Sequence, residues 1–474
     1  MKVHFIGIGG IGVSALARYY LSQGHKVYGS DLSFSEITKA LKKLGAKIFI
    51  GKHQTKNLAK NLDLVIYSPA VLPDNPEILA AKKMKIKAQS YPQALGELTK
   101  KYFTIAVAGS HGKSTTVAMI GILLTKAGLD PTVIVGTKVR EFGDSNCRVG
   151  KSKYLVIEAD EHFASFLNYW PKIIVLTTLE PDHLDYYKNF KNYINAFKKF
   201  IQHLSVYFPA QKLLYETDIK SHRKGAGFIS HLPKEGILVA NKDDKNISRL
   251  KIKDLRFKVK NYSLKQKEVK KIKKVLKIPG EFNVSNALAV LTVARVLKIP
   301  DKISFKALSE YRGSWRRFEV SHRTWNTKHI TIINDYAHHP TQVKVTLKVT
   351  REKFPKKKIW CIFQPHQYQR TYYLFNDFVK VFKEAPINKI IITDIYSVAG
   401  REKKEIIKKV SSQKLVKAIN KPSVIYLPKK DLKKFLKKNL RGSRLKKGEP
   451  RSRGAGEVLI ILGAGDIYKL ASDF

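Results

Sequence analysis

Short apolar runs alternate with stretches whose apolar positions recur every three or four residues along the first part of the chain. "KVHFIGI" reads as a strand, "GVSALARYYLSQG" as a helix closed by Gly24, and "HKVYGSD" as a second strand. "SEITKALKKLG" follows as a helix, "KIFI" and "LDLVIYSPAV" as strands, and "PQALGELTKK" as a helix leading into "YFTIAVAGSHGKSTT". Strand–helix alternation of this kind predicts a parallel, doubly wound sheet.

A second unit repeats the pattern. "KYLVIEADE" and "KIIVLTTLEPDHLDYY" are apolar strands that end in acids, followed by the strand "EGILVANKDD" and the helix-like "NVSNALAVLTVARVL". Periodicity fails over 205–230, which reads as an inserted surface element. After "YRGSWRRFEV" a third unit begins, with strands in "HITIINDYAHHP", "KIWCIFQPH", "KIIITDIYS", "PSVIYLP" and "EVLIILGAGD". The Gly/Ser/Arg-rich stretch 441–454 predicts a flexible loop. No internal repeat of solenoid period is present.

The chain has 474 residues, enough for about three domains, and 43% hydrophobic residues, enough for real cores. Its opening residues mimic a signal peptide, but glycines punctuate the apolar run at loop spacing, so a folded βαβ unit is expected there. No apolar run reaches the ~20 residues that span a membrane. Two cysteines, Cys147 and Cys361, offer neither a disulfide framework nor metal-ligand spacing, which predicts a cytoplasmic setting. Against 38 acidic residues stand 89 Lys and Arg, a formal charge of +51. Such a field attracts polyanions. The lysines are spread over nearly every segment, however, and no aromatic-basic or helix-turn-helix signature accompanies them. Solvated helix faces are the expected explanation, with no specific nucleic acid and no membrane insertion.

Two glycine-rich loops carry the chemistry. "GIGGIG" matches G-x-G-x-x-G through Gly7, Gly9 and Gly12, after a strand and before a helix, with Asp31 about where a ribose acid would stand. Glycines let the backbone approach a diphosphate, whose charge the helix N-terminus favours. That motif reports a nucleotide diphosphate and not a nicotinamide dinucleotide in particular, although taken alone it slightly favours the latter. "AGSHGKSTT" lacks the first glycine of a Walker A loop, since Val107 stands there. Its remainder places Lys113 for the β- and γ-phosphates and Ser114 as a Mg²⁺ ligand. Glu158, Asp160 and Glu161 end one apolar strand, and Asp182, His183 and Asp185 follow another. One carboxylate beside the phosphates suffices for Mg²⁺. Histidine is an unusual ligand for that ion, so the residues alone leave His183 either a loop histidine or a ligand.

Taken together with "EADE", "DHLDYY", "PGEFNVSNALA", "RRFEV", "DYAHHPTQV", "FQPHQYQRT", "TDIY" and "LGAGDI", these stretches resemble the Mur ligases in family order from residue 4 to 467. "DYAHHP" with "FQPH" resembles the alanine-adding branch. The resemblance implies an α/β fold of three domains: a Rossmann-like N-terminal domain (1–99), a central P-loop ATPase-like α/β domain (100–317) and a C-terminal Rossmann-like α/β domain (318–474). It implies ATP-dependent ligation of L-alanine to the lactyl carboxylate of UDP-N-acetylmuramate through an acyl phosphate, in peptidoglycan precursor synthesis. The first loop would then hold the UDP-sugar through Gly9, Gly10, Ile11 and Asp31. ATP would lie on Gly109, Ser110, His111, Gly112, Lys113, Ser114 and Thr115, with Asn283 and Asn286 beside the adenine. Arg317 and Asp335 would reach the nucleotide from the C-terminal domain. Ser114, Glu158 and His183 would hold Mg²⁺, and His338 and Arg370 would lie near the incoming amino acid. Lys113, Glu158, His183 and Arg370 would be the catalytic set. Asn283 reads equally as a helix N-cap before "VSNALAV".

Several positions depart from the family pattern. Gln367 stands where the family shows Arg, which should weaken or redirect amino-acid capture through loss of a bidentate contact. Thr178 replaces Asn, Phe282 replaces His, and Ser114 replaces Thr. The rival within the family is the ligase that reattaches recycled murein peptide. Outside it stand a nicotinamide oxidoreductase, which leaves "GKSTT" and "DYAHHP" unexplained, and a nucleic-acid-binding ATPase, which would explain the charge and the phosphate loop but for which no aromatic-basic or helix-turn-helix signature is present.

Overall fold

A computed structural model describes residues 1–206, 232–250, 256–325, 328–398, 402–440 and 456–474. The insert expected at 205–230 lies outside the described residues from 207 onward, and so does the loop at 441–454. The chain forms two compact units: Met1–Pro181, Tyr186–Lys277 and Glu281–Arg312 make the first, and Asp182–Asp185, Ile278–Gly280 and Gly313–Phe474 the second.

The first unit holds two sheets. β1 (Lys2–Ile6), β2 (Lys26–Asp31), β3 (Lys47–Ile50), β4 (Leu64–Tyr67) and β5 (Lys87–Ser90) run parallel in the order β3-β2-β1-β4-β5. Order reverses at β1, so a crevice opens past its carboxyl end, the place where open parallel sheets take ligands. Helices α1 (Ile11–Ser22), α2 (Glu36–Lys43), α3 (Pro76–Lys83) and α4 (Tyr91–Thr99) connect the strands. α3 and β5 were missing from the sequence reading. "KAQS" is a short edge strand with no fully buried residue, so it carries no apolar run to detect.

The second sheet contains β6 (Phe103–Ala108), β7 (Thr132–Val139), β8 (Ser145–Arg148), β9 (Tyr154–Glu158), β10 (Ile173–Leu176), β11 (Gly236–Asn241) and β12 (Phe257–Tyr262). Their order is β12-β11-β10-β6-β9-β7-β8, parallel except for the β7–β8 hairpin. β6 is buried throughout, as a central strand covered on both faces must be. α5 (Lys113–Lys126) follows it and buries an unbroken run from Ser114 to Leu124. A helix apolar all round has to be enclosed, and α5 packs against β7, β9 and the helices Glu281–Val296 and Asp301–Glu310. Asn283 lies inside the first of these, two residues past its start, so the N-cap reading is wrong.

The second unit is built on β13 (Glu319–Trp325), β14 (Lys328–Asp335), β15 (Lys358–Phe363), β16 (Lys389–Ile392), β17 (Val424–Tyr426) and β18 (Glu457–Leu462). The order is β13-β14-β18-β15-β16-β17, with only β13 antiparallel among the described strands. Ile333, Cys361, Phe363, Ile390 and Ile460 form the core on one face. Ile332, Trp360, Ile391 and Leu459 form it on the other.

Candidate active site

Both glycine loops leave the carboxyl end of a sheet's pivotal strand. In the first, Gly7 adopts φ +74°, a conformation that costs glycine nothing, and Gly7 N and Ile8 N both donate to the Ser30 carbonyl. Gly9 N donates to Asp31 Oδ2 at 2.8 Å, and a Cβ on Gly9 would stand 2.8 Å from that oxygen. Asp31 therefore holds the loop itself in place. A Cβ on Gly12 would meet the Tyr91 ring at 2.9 Å. Gly10 caps α1 and Ile11 opens it, so both expected substrate residues sit at the helix N-terminus.

Under this loop lies a network with no sequence signature. Glu77, fully buried, accepts from Ser30 Oγ (2.6 Å) and Asn57 Nδ2 (2.7 Å) and pairs with His4 Nε2 (2.8 Å) and His53 Nδ1 (3.0 Å). Burial alone would raise its carboxyl, but the bonds from His4, Ser30 and Asn57 outweigh it and bring it down to about 2.

The second loop is shaped by Gly109 (φ +131°) and Gly112 (φ +85°). Ser110 N donates to the Thr178 carbonyl and His111 N to Thr178 Oγ1 at 3.0 Å. Thr178, where the family shows Asn, thus supports the loop through both its backbone and its hydroxyl. Thr115 is buried in the first turn of α5. Lys113 Nζ donates to the Gly109 carbonyl (2.7 Å) and to Glu161 (2.8 and 3.1 Å). Burial works against its charge, yet the carboxylates of Glu161, Asp160 and Glu158 keep the ammonium above its ordinary range. Ser114 Oγ donates to Glu158 Oε2 at 2.8 Å, and Gly136 N donates to the same oxygen at 2.9 Å. β9 flanks β6 in the sheet, so its terminal Glu158 comes beside the loop by topology. Asn286 lies against Gly112, where a Cβ would be 2.5 Å from its Oδ1, and Asn286 Nδ2 reaches Asn283 Oδ1 at 3.4 Å. The structure thus brings together Gly109, Ser110, His111, Gly112, Lys113, Ser114, Thr115, Glu158, Asn283 and Asn286.

The remaining expected residues belong to the second unit. Arg370 donates through Nε and NH2 to Asp182 Oδ1 (3.3 and 3.1 Å), both side chains nearly enclosed. Burial alone would raise Asp182, but Arg370 and neighbouring histidines hold it well below the carboxylate range. His183 follows with φ +52°, its amide donating to Asp182 Oδ1. His338 Nδ1 lies 2.9 Å from the Tyr336 carbonyl; a carbonyl only accepts, so Nδ1 carries the proton and Nε2 is left as an acceptor. Burial, then Arg370 and His366, hold His338 well below its ordinary value and keep it neutral. Asp335 accepts the amides of Phe318 and Ala337, both at 2.7 Å, and burial raises its carboxyl. Arg317 stacks on Tyr336, 4.8 Å from the ring centre. Buried Arg316, absent from the expected set, donates to the Gly463 and Gly465 carbonyls and stacks on Tyr468. Gln367 sits buried at φ +71° with its Oε1 accepting from Arg370 NH1 at 3.2 Å.

A phosphate loop with lysine, serine and strand-end acids, in a chain with a second diphosphate-type loop, defines a nucleotide-dependent enzyme. Three family models then match in order: "Mur ligase family, catalytic domain" over 2–103, "Mur ligase middle domain" over 107–294, and "Mur ligase, glutamate ligase domain" over 316–447. The chain belongs to the Mur ligase family and has its α/β architecture of three domains, Rossmann-like at both ends with a P-loop ATPase-like domain between.

The UDP-N-acetylmuramate–L-alanine ligases of Acetivibrio thermocellus and Aquifex aeolicus are 36% and 38% identical, covering 100% of this chain and 95% and 97% of their own. The crystal structure of the UDP-N-acetylmuramate–alanine ligase from Thermotoga maritima is 26% identical, with a TM-score of 0.73 over 100% of this chain and 98% of that one. A murein peptide ligase from Psychrobacter arcticus shares the fold at TM-score 0.68 and 21% identity, covering 100% and 98%. No described helix is long and apolar enough to cross a membrane.

Proposed function

We propose that the chain is an ATP-dependent ligase joining L-alanine to UDP-N-acetylmuramate in peptidoglycan precursor synthesis, working in the cytoplasm as three domains over 1–99, 100–317 and 318–474. One observation carries the reading: two strand–glycine–helix loops lie in one compact unit, and only the second has a buried lysine with paired acids. Two nucleotides with different jobs account for that asymmetry, and the full-length likeness to alanine ligases supplies their identities.

A carboxylate acylates poorly because its leaving group would be oxide. Attack of the lactyl carboxylate oxygen on the γ-phosphorus of ATP forms an acyl phosphate and releases ADP. The alanine amine then attacks the carbonyl carbon, and the tetrahedral species loses phosphate and a proton to give the amide. In this scheme Lys113 neutralises the transferring phosphoryl, and the glycine-loop amides orient it. Ser114, Glu158 and His183 are the proposed Mg²⁺ residues. The hydroxyl and carboxylate meeting at 2.8 Å form the hard oxygen set that ion takes. Bound there, Mg²⁺ would offset the charge of the phosphates. Asn283 and Asn286 are assigned to the adenine, and Arg317 and Asp335 to the nucleotide. Gly9, Gly10, Ile11 and Asp31 are assigned to the UDP-sugar, His338 and Arg370 to the amino acid.

The test is phosphate release with UDP-N-acetylmuramate and, in turn, L-alanine, glycine and L-serine. ADP formation that requires both the UDP-sugar and L-alanine is expected. Turnover with the UDP-sugar omitted would overturn the assignment of the first loop. Equal turnover with all three amino acids would show that Gln367, which ties up one edge of Arg370, leaves the choice of amino acid open.

A further inference from the structure

The β7–β8 hairpin touches the first nucleotide loop directly and the second through Glu158, the carboxylate that accepts from Ser114. At its outer strand, Asn146 is 3% exposed, and its Nδ2 donates to the Ile11 carbonyl (2.5 Å) and to Ser14 Oγ (2.8 Å). Ser14 Oγ in turn donates to the Ile11 carbonyl at 2.9 Å, so three groups lock the first turn of α1. That turn carries the first glycine loop. At the inner strand, Gly136 N donates to Glu158 Oε2, the same oxygen that accepts from Ser114 of the phosphate loop. A Cβ on Gly136 would lie 2.8 Å from that oxygen, so a side chain there would push the carboxylate aside.

A third contact runs alongside. The Tyr91 ring covers Gly12. Burial pushes its phenol up. The hairpin itself is fixed at its base: Arg148 donates to Asp130 and to the Pro131 carbonyl, both at 2.6 Å. One short, braced element therefore sets the start of α1 against Glu158.

Resting on the two-nucleotide reading above, we propose that the β7–β8 hairpin is a positioning device that registers the UDP-sugar loop against the ATP-side carboxylate, with Asn146 its principal positioning residue and Gly136 its second contact. A diphosphate drawn onto α1 pulls on Asn146, and the pull reaches Glu158 through Gly136. Occupancy of one loop consequently tightens the other, and the effect is reciprocal because coupling of binding energies must be.

The test measures the Kd of a non-hydrolysable ATP analogue with Mg²⁺ by calorimetry, with and without saturating UDP-N-acetylmuramate, and then the converse. In the wild type the ratio of the two values should exceed about fivefold in both directions. Asn146→Ala should bring the ratio close to one while each ligand alone binds within about twofold of wild type; a purely structural role would lower the melting temperature and leave the ratio unchanged. Should Asn146→Ala fail to fold, Ser14→Ala removes an acceptor of the same amide from the opposite side and should lower the ratio too. A wild-type ratio of one, or a ratio that survives both substitutions, overturns the proposal. Failure of the wild type to bind the UDP-sugar at all would instead refute the two-nucleotide reading on which it rests.

Discussion

The two glycine loops are built on one plan and differ in what surrounds them. Each follows a central strand, turns through a glycine at positive φ and opens a helix whose first amides have no partner within the helix. The first loop, residues 7–12, contains no cation; its charged neighbour is Asp31, which fastens the Gly9 amide. In the second, Lys113 faces Glu161, and Ser114 faces Glu158. Amides and a helix dipole are enough to hold a diphosphate that does not react. A phosphoryl group in transfer needs a mobile cation and a metal-binding acid as well. On the proposed function, the contrast corresponds to anchoring by the first loop and chemistry at the second.

Lysine 113 is the sharpest place to break that contrast. Lys113→Ala should cut kcat/KM for ligation on the order of a thousandfold, with UDP-sugar binding by calorimetry unchanged. Full ligation by this variant would refute the chemical role of the second loop. Glycine substitutions come next. Gly112→Ala puts a methyl 2.5 Å from Asn286 Oδ1 at φ +85°, and should cost about 1–3 kcal/mol of stability with most of the activity. Gly12→Ala lies at no such backbone position and crowds the Tyr91 ring, so it should raise KM for the UDP-sugar and leave the KM for ATP alone. Equal effects on both KM values would erase the difference between the loops.

Those loops were legible because glycine spacing and strand-to-helix switching are local signals, and the central strands of the three sheets were legible because they are apolar runs. What escaped has a physical reason in each case. In the β7–β8 hairpin, "SNCR" escaped because it alternates weakly and pairs at a sheet edge, whereas the apolar run "TVIVGTKV" was legible but not assigned. Asn146 and Gly136 then had no context that marked them. Tyr91 and Glu77 act through neighbours distant in sequence, and nothing near either residue announces the contact. Asn283 was offered a cap role because the helix was expected to start at it; Glu281 opens that helix instead. The ion pair of Arg370 with Asp182 joins positions 188 apart, a separation at which only the fold can bring partners together.

Asp31→Ala tests the anchoring side. Removing a charge-assisted bond to the Gly9 amide should raise KM for UDP-N-acetylmuramate roughly tenfold, with kcat at saturating substrate nearly intact. A fall in kcat with KM unchanged would move Asp31 from anchor to chemistry.

The smallest effect on activity, and the one that separates the scaffolding of the two loops, concerns Glu77. Its carboxyl stands at about 2 in the folded chain against an ordinary 4.5, so folding favours its ionised form. The stabilisation, on the order of 3 kcal/mol, is present in full above pH 4.5 and drains away as the pH falls toward 2. Glu77→Gln should therefore lower urea resistance at pH 7 while its stability curve converges on that of the wild type in acid. Because Ser30 links Glu77 to the amides of Gly7 and Ile8, the same variant should loosen UDP-sugar binding by a few-fold and leave ATP-analogue binding untouched. A gap between variant and wild type that stays constant from pH 5 to pH 2 would show that Glu77 acts through packing alone, and the first loop would then owe its shape to the backbone of β1 and β2 without help from the charge beneath it.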